Sequence, residues 1–207
     1  MSESKLVFAL WGGPSGAGLG RALRDPGLHA RLVAAGVRRL QLDLLDPTAR
    51  HRQCFDRPVR AVVSVWTSGP PAAVTLLLQG LADEVAGWRV EEDRVREPPR
   101  ATTRGTVVAV VRGAAADPWL DRWLAHRASA AAADPHVLGH VQDRVRAVLT
   151  RGAPPVQALV EETTEGGDAD PQWLDRLVES VATLGGDREL DLVPTSRCVL
   201  DLPGPSR

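Results

Sequence analysis

Trp119, Trp123 and His126 stand four and three residues apart in the segment PWLDRWLAHRASAAAA. At about 100° per residue on an α-helix, the three fall within roughly 60° of arc. An imidazole beside two indoles at the edge of a buried face can exchange protons with a ligand held against aromatic walls, because its pKa lies near neutrality. His29 lies among Leu28, Leu32 and Val33 in an earlier helical stretch, without tryptophans beside it. His140 and Gln142 share one face of a later strand, while Asp143 points to the other. The face of His140 and Gln142 is expected to meet the cavity. The catalytic candidates are therefore His126 and His140, and the substrate-binding candidates are Trp119, Trp123, Gln142 and His29. His51 and His136 read as solvent-exposed loop residues.

Other chemistries are excluded by residue type. Tyrosine is absent, which removes any phenolic acid, and Lys5 is the only lysine, which leaves almost no Schiff-base candidate. The histidines show no spacing such as HExxH, and Cys54 and Cys198 form no CxxC. Neither a metal nor another cofactor is expected. With 25 basic and 26 acidic residues the formal net charge is −1. A nucleic-acid partner would need clustered Lys and Arg, so none is expected. No apolar run is long enough for a membrane span, and a cytoplasmic location with reduced thiols is expected.

These residues are positioned by a layout written twice. Lys5–Trp11 and Thr106–Arg112 are matching apolar strands. Each is followed by a helix with a histidine, His29 or His126, and by a strand with an aspartate, Asp43 or Asp143. A further strand, a helix and a closing strand then follow in each half. The first half reads as strand Leu6–Trp11, a helical stretch Leu19–Ala35 broken near Pro26, strands Val37–Leu45 and Val59–Thr67, helix Ala72–Ala86, and closing strand Trp88–Arg96. Glu97–Arg104 is the expected linker. In the second half Asp117-Pro118 and Asp170-Pro171 signal helix starts, and Ser196–Leu202 closes the unit. The expected fold is α+β: two tandem βαββαβ units, residues 1–103 and 104–207. Each sheet has a mostly apolar bare face, so the two sheets are expected to cover one another as an internal pseudo-dimeric α/β barrel. The chain is then a monomer with that internal pairing, or a homodimer.

Gly12, Gly16 and Gly18 match the GxxxGxG of short-chain dehydrogenases, with Asp43 placed where a ribose-binding acid would stand. Against an NAD(P)-dependent reductase stand the proline in the helix, the missing YxxxK tyrosine and the missing further βαβ units.

The segments GLHARLVAAGVRRLQLD and WLAHRASAAAADPHVLGHVQDRV resemble the EthD family of the dimeric α/β-barrel superfamily. The helix element is matched by Trp123 and His126, and the strand tetrad by His140, Val141, Gln142 and Asp143. His29 matches in the first half, where the tetrad reads Leu40, Gln41, Leu42 and Asp43. His140 stands where the family carries tyrosine. The resemblance implies ferredoxin-like units. It also implies a cofactor-independent enzyme, a cyclase, dehydratase, decarboxylase or oxygenase, acting on a hydrophobic aromatic or polyketide-like small molecule through His-mediated proton transfer. A non-catalytic small-molecule binding or accessory protein is the alternative.

Overall fold

The computed structural model describes residues 3–12, 16–46, 57–99, 105–113, 118–165, 171–183 and 190–203. Eight strands, β1 (Ser4–Trp11), β2 (Val37–Leu45), β3 (Val59–Thr67), β4 (Glu84–Arg96), β5 (Thr106–Arg112), β6 (Val137–Val148), β7 (Val156–Thr164) and β8 (Leu190–Asp201), close into one antiparallel barrel in the order β1-β3-β2-β8-β5-β7-β6-β4. Five helices, α1 (Gly16–Leu23), α2 (Pro26–Ala34), α3 (Pro71–Gln79), α4 (Pro118–Ala133) and α5 (Pro171–Thr183), complete a mixed α+β architecture. Each half contributes four strands in the same relative order, β4-β1-β3-β2 and β8-β5-β7-β6. Among the described residues no helix is long and apolar enough to cross a membrane.

The strands read as nearly unbroken apolar runs because both of their faces are covered. Leu6, Phe8 and Leu10 point outward and pack with Leu28, Leu32 and Leu78 of the first half's helices. Val107, Ala109 and Val111 pack with Trp119, Trp123 and Leu177 of α4 and α5. The alternate residues Val7, Ala9 and Trp11 face the barrel interior, where they meet Trp88, Val108, Val110 and Val193 of other strands. Helix α2 starts where the sequence dictates. Asp25 caps it, its Oδ2 accepting from the Leu28 amide at 2.9 Å, and Pro26 fills the first turn, where no amide is needed. The link from α2 to β2 passes through Gly36 at φ +91°, where a Cβ would stand 2.8 Å from the Gly69 amide nitrogen. Only glycine fits both demands.

Two boundaries differ from the sequence reading. The expected helix Ala72–Ala86 ends at Gln79, and Val85 and Ala86 lie in β4 opposite Leu10 and Ala9. Strand pairing there overrides the helical period. The closing strand β8 begins at Leu190 rather than Ser196, because its first half pairs with β5 and its second half with β2. Strand β4 does the same between β1 and β6. These two long strands close the barrel. Their doubled pairing is invisible in a sequence window. The helix-start aspartates Asp117 and Asp170, the loop residue His51, Cys54 and most of the expected linker lie outside the described residues. The dinucleotide alternative fails on topology: the glycine-rich connector leaves an antiparallel strand, so there is no parallel sheet with a switch point to seat a pyrophosphate. Asp43 is buried in the barrel instead of standing at a sheet edge.

Cut apart, each half would expose its interior face, including Trp88 in the first. Residues 1–103 and 104–207 expressed separately are therefore expected to unfold without a cooperative transition or to self-associate, and to recover a 1:1 complex with a sharp melt on mixing. Sedimentation and thermal unfolding check this. Two monomeric halves with separate cooperative transitions would show that each sheet is self-sufficient.

Candidate functional site

The helix face chosen from the sequence is divided between two packed indoles and an exposed imidazole. Trp119 and Trp123 are buried and stacked on one another, with ring centroids 5.8 Å apart and planes 14° apart, and Trp123 Nε1 donates to Ser180 Oγ on α5 at 3.1 Å. His126 is exposed on α4, and the next residue, Arg127, is the one turned inward. The helix presents its apolar stripe to the sheet one residue further round than the arc argument placed it. His29 is half-buried, and its Nε2 meets the Leu23 carbonyl at 2.9 Å, at the end of α1. His136 is exposed, near Glu165.

His140 and Gln142 do share a face, and it is packed solid beneath α4. Gln142 Nε2 donates to the Leu124 carbonyl of α4 at 2.8 Å and stands 2.8 Å from His140 Nε2. That ring nitrogen is thus the acceptor, and Nδ1 carries its hydrogen toward Glu162 Oε1 at 3.0 Å. Arg127 grips the same glutamate from α4, through Nη2 at 2.7 and 2.9 Å. Gln142, Arg127 and Glu162 together tie α4 to β6 and β7. The arginine and the imidazole beside it hold Glu162 below the usual carboxylate range despite its burial.

The opposite face of the same strands carries a network of buried charges. Inside the barrel, Lys5 Nζ lies 2.6 Å from Asp143 Oδ2, 2.9 Å from Glu92 Oε1 and 3.1 Å from Glu161 Oε1. Glu161 Oε2 also receives Arg197 Nη2 at 2.6 Å and Gln41 Nε2 at 2.8 Å. Arg197 Nε and Gln41 Nε2 hold the two oxygens of Asp43, each at 2.8 Å. The centre thus joins β1, β2, β4, β6, β7 and β8, and the matching aspartates of the two halves stand in it together. Lys5 and Arg197 inside the barrel and Arg94 at its rim face four carboxyl groups, and burial decides how the protons are shared. Burial pushes Asp143 up to about 8, against the pull of Lys5 and with added repulsion from Glu161. Burial also raises Asp43, opposed by Arg197. Glu161 resists the same burial because Lys5 and Arg197 flank it, and it is held well below the usual range. Glu92 is lowered by Lys5 and Arg94, which outweigh its partial burial. The environment therefore separates two carboxyl groups that touch one ammonium, the pattern that assigns a proton donor and a proton acceptor.

The centre reaches solvent through a pocket of about 600 Å³ at the barrel mouth, lined by Lys5, Trp66, Glu92, Arg94 and neighbours on β1 and β4. Trp66 donates Nε1 to Glu92 Oε2 at 3.3 Å, and Arg39 and Lys5 stand over its ring at 4.4 and 4.9 Å. None of Lys5, Glu92, Glu161 or Arg197 was among the sequence candidates, whereas Trp66, at the end of its strand, was open to either lining a cavity mouth or packing. Two signals pointed to them: a lone lysine within an apolar strand, and the adjacent pair Glu161-Glu162, whose carboxylates must leave opposite faces of β7 and each find a buried cation.

No family model matches the sequence, and no curated protein matches it. Solved structures resemble the fold. An anthrone oxidase-like protein superposes with a TM-score of 0.61 at 11% identity, over 99% of this chain and 97% of its own. A protein assigned as a monooxygenase from Fusobacterium nucleatum gives 0.54 at 7% identity, over 98% and 95%. A mutant chlorite dismutase from Candidatus Nitrospira defluvii gives 0.52 at 9% identity, over 92% and 91%. At these identities the likeness is one of fold.

The raised Asp143 has a signed consequence for stability. Its folded pKa of about 8 lies above its ordinary value of 3.8, so between those values the folded chain holds a proton that the unfolded chain has released. This contribution to stability falls as pH rises across that window, by at most about 1.4 kcal/mol per pH unit, and levels off above pH 8. Asp143→Asn keeps the shape of the protonated carboxyl and removes the titration. Urea midpoints from pH 5 to 9 are expected to fall less steeply for the variant than for the wild type. Parallel curves would show that Asp143 is ionised throughout. Lys5→Met, by contrast, leaves Asp143 without its cation and weakens the pairing of Glu161, and is expected to cost about 3–5 kcal/mol in the same titration at pH 7.

Proposed function

We propose that this protein is an enzyme of the monooxygenase-like barrels, an internally duplicated relative of the dimeric α/β-barrel proteins with ferredoxin-like units at 1–103 and 104–207. It takes a proton from a small aromatic or polyketide-like molecule with its own side chains, without a resident cofactor. The observation that carries the reading is the Glu92–Lys5–Asp143 relay, whose outer carboxylate borders the mouth and whose inner carboxyl is pushed up to about 8. The EthD-like segments and the anthrone oxidase-like and monooxygenase folds support an oxygenation.

The steps follow from the geometry. A substrate in the mouth lies against Trp66 and gives its acidic proton to Glu92. Lys5 passes one of its protons to Asp143 and regains one from Glu92. The net transfer from Glu92 to Asp143 runs downhill because Glu92 is the weaker base, and Lys5, whose pKa the surrounding carboxylates raise, gives up one proton only as it takes the other. The negative charge left on the substrate oxygen faces the Lys5 ammonium, which stabilises it in a largely water-free setting. The electron-rich carbon then reduces dioxygen. With anthrone as probe, one dioxygen is consumed and anthraquinone and water are formed, which balances without a further reductant. The proton transfer sits in the barrel interior and not at His126 or His140.

Oxygen uptake and quinone absorbance with anthrone test this. Turnover is expected without added cofactor, rising with pH through about 8 as Asp143 loses its proton. Asp143→Asn is expected to lower it by about 100- to 10,000-fold, and His126→Ala to leave it unchanged. Equal rates and equal pH profiles for wild type and Asp143→Asn would overturn the relay. The enclosure of Lys5 and Asp143 favours one second reading, a protein that holds a ligand at the mouth without turning it over. Saturable anthrone binding with no oxygen uptake at any pH would establish that reading.

A further inference from the structure

A second opening lies on the second half, where the start of α4 meets the ends of β6 and β7. It encloses about 760 Å³ and is walled mainly by Pro118, Leu120, Val145, Val148, Pro155 and Val156. Its rim charges are spent: Arg144 is paired with Asp121, and Arg146 with Glu91. One polar group in the wall has no such pairing. Gln157 is more than nine-tenths buried, and among the described residues neither its Nε2 nor its Oε1 has a hydrogen-bond partner. A carboxamide sealed from water with both ends unpaired is costly to keep, and it recovers that cost when a partner arrives.

We propose that this groove is a separate binding site for a neutral, planar, mostly apolar molecule whose edge carries an amide N–H beside its C=O, a lactam. The volume is that of an ordinary small-molecule site, and such sites are apolar with a few placed polar groups. A primary carboxamide and a lactam edge pair through two hydrogen bonds at once. The Gln157 oxygen accepts from the ring N–H, and its Nε2 donates to the ring carbonyl. With the rim arginines neutralised, a net charge on the ligand would gain no partner. A turn of the Gln157 side chain toward the groove makes the pairing, while the apolar walls cover the ring faces. The site does not depend on the proton-transfer reading, since neither Asp143 nor Lys5 borders it.

The probe is 2-quinolinone, a fluorescent bicyclic lactam, with N-methyl-2-quinolinone as the analogue lacking the N–H. On the wild-type chain the lactam is expected to bind at least about tenfold more tightly than its N-methyl form, one hydrogen bond's worth of affinity. Gln157→Leu is expected to erase that difference and to melt at or above the wild-type temperature, because it replaces an unpaired buried amide with an apolar group of similar size. Asp143→Asn is expected to bind the lactam as the wild type does. Equal affinity for the two probes on the wild type, or undiminished lactam preference in Gln157→Leu, would overturn the proposal. Loss of binding in Asp143→Asn would also overturn it, by moving the lactam to the barrel mouth.

Discussion

The fold hangs on one ammonium group in a place where charge is expensive. Lys5 Nζ is enclosed by the barrel and held by Asp143, Glu92 and Glu161. An isolated buried charge would be prohibitive, so its partners must arrive together from strands of both halves. Arg197 extends the demand to Asp43 on the far side. A one-residue slip of β1 would turn Lys5 toward the helices, strand Asp143 and take one of the cations from Glu161 and Glu92. The ionic layer therefore fixes register and joins the two sheets. The apolar interior supplies bulk stability that is less particular about partners.

The same layer must also share its protons. The three carboxyl groups enclosed with Lys5 and Arg197, namely Asp43, Asp143 and Glu161, cannot all stay ionised in a space shielded from water. The environment sorts them, with Glu161 kept as an anion, as is Glu92 at the mouth, and Asp143 drawn toward protonation. Trp66 and its neighbouring cations form the wall through which this centre meets solvent. The layer that closes the barrel is thus also the part of it best suited to move a proton.

On the outer face of β6 and β7 the same residue types do a different job. Glu162, His140 and Gln142 are spent on holding α4 through Arg127 and the Leu124 carbonyl. Trp119 and Trp123 fill the space under that helix, so its role is to cover the sheet. Toward the start of α4 the packing opens into the apolar groove beside Gln157.

Much of the fold was legible from residue pattern. The strands Val37–Leu45, Val59–Thr67 and Thr106–Arg112 match their sequence bounds, the break at Pro26 separates α1 from α2, and the apolar inner faces do cover one another in a closed barrel. These follow from local propensity and from the need to bury apolar faces, which a single sequence records. The site was legible only in part. Alternation along β6 correctly set His140 and Gln142 against Asp143, but it could not say which face would be packed and which would be ionic. That depended on Lys5, 138 residues earlier in the chain, reaching Asp143, and on Arg127 rather than His126 facing the sheet. A shift of one residue in helix rotation is within the tolerance of any periodicity argument, yet it exchanges an imidazole for a guanidinium. Sequence determined which side chains would need buried partners. Only the closed barrel, by fixing six strands in register, decided which partners they found.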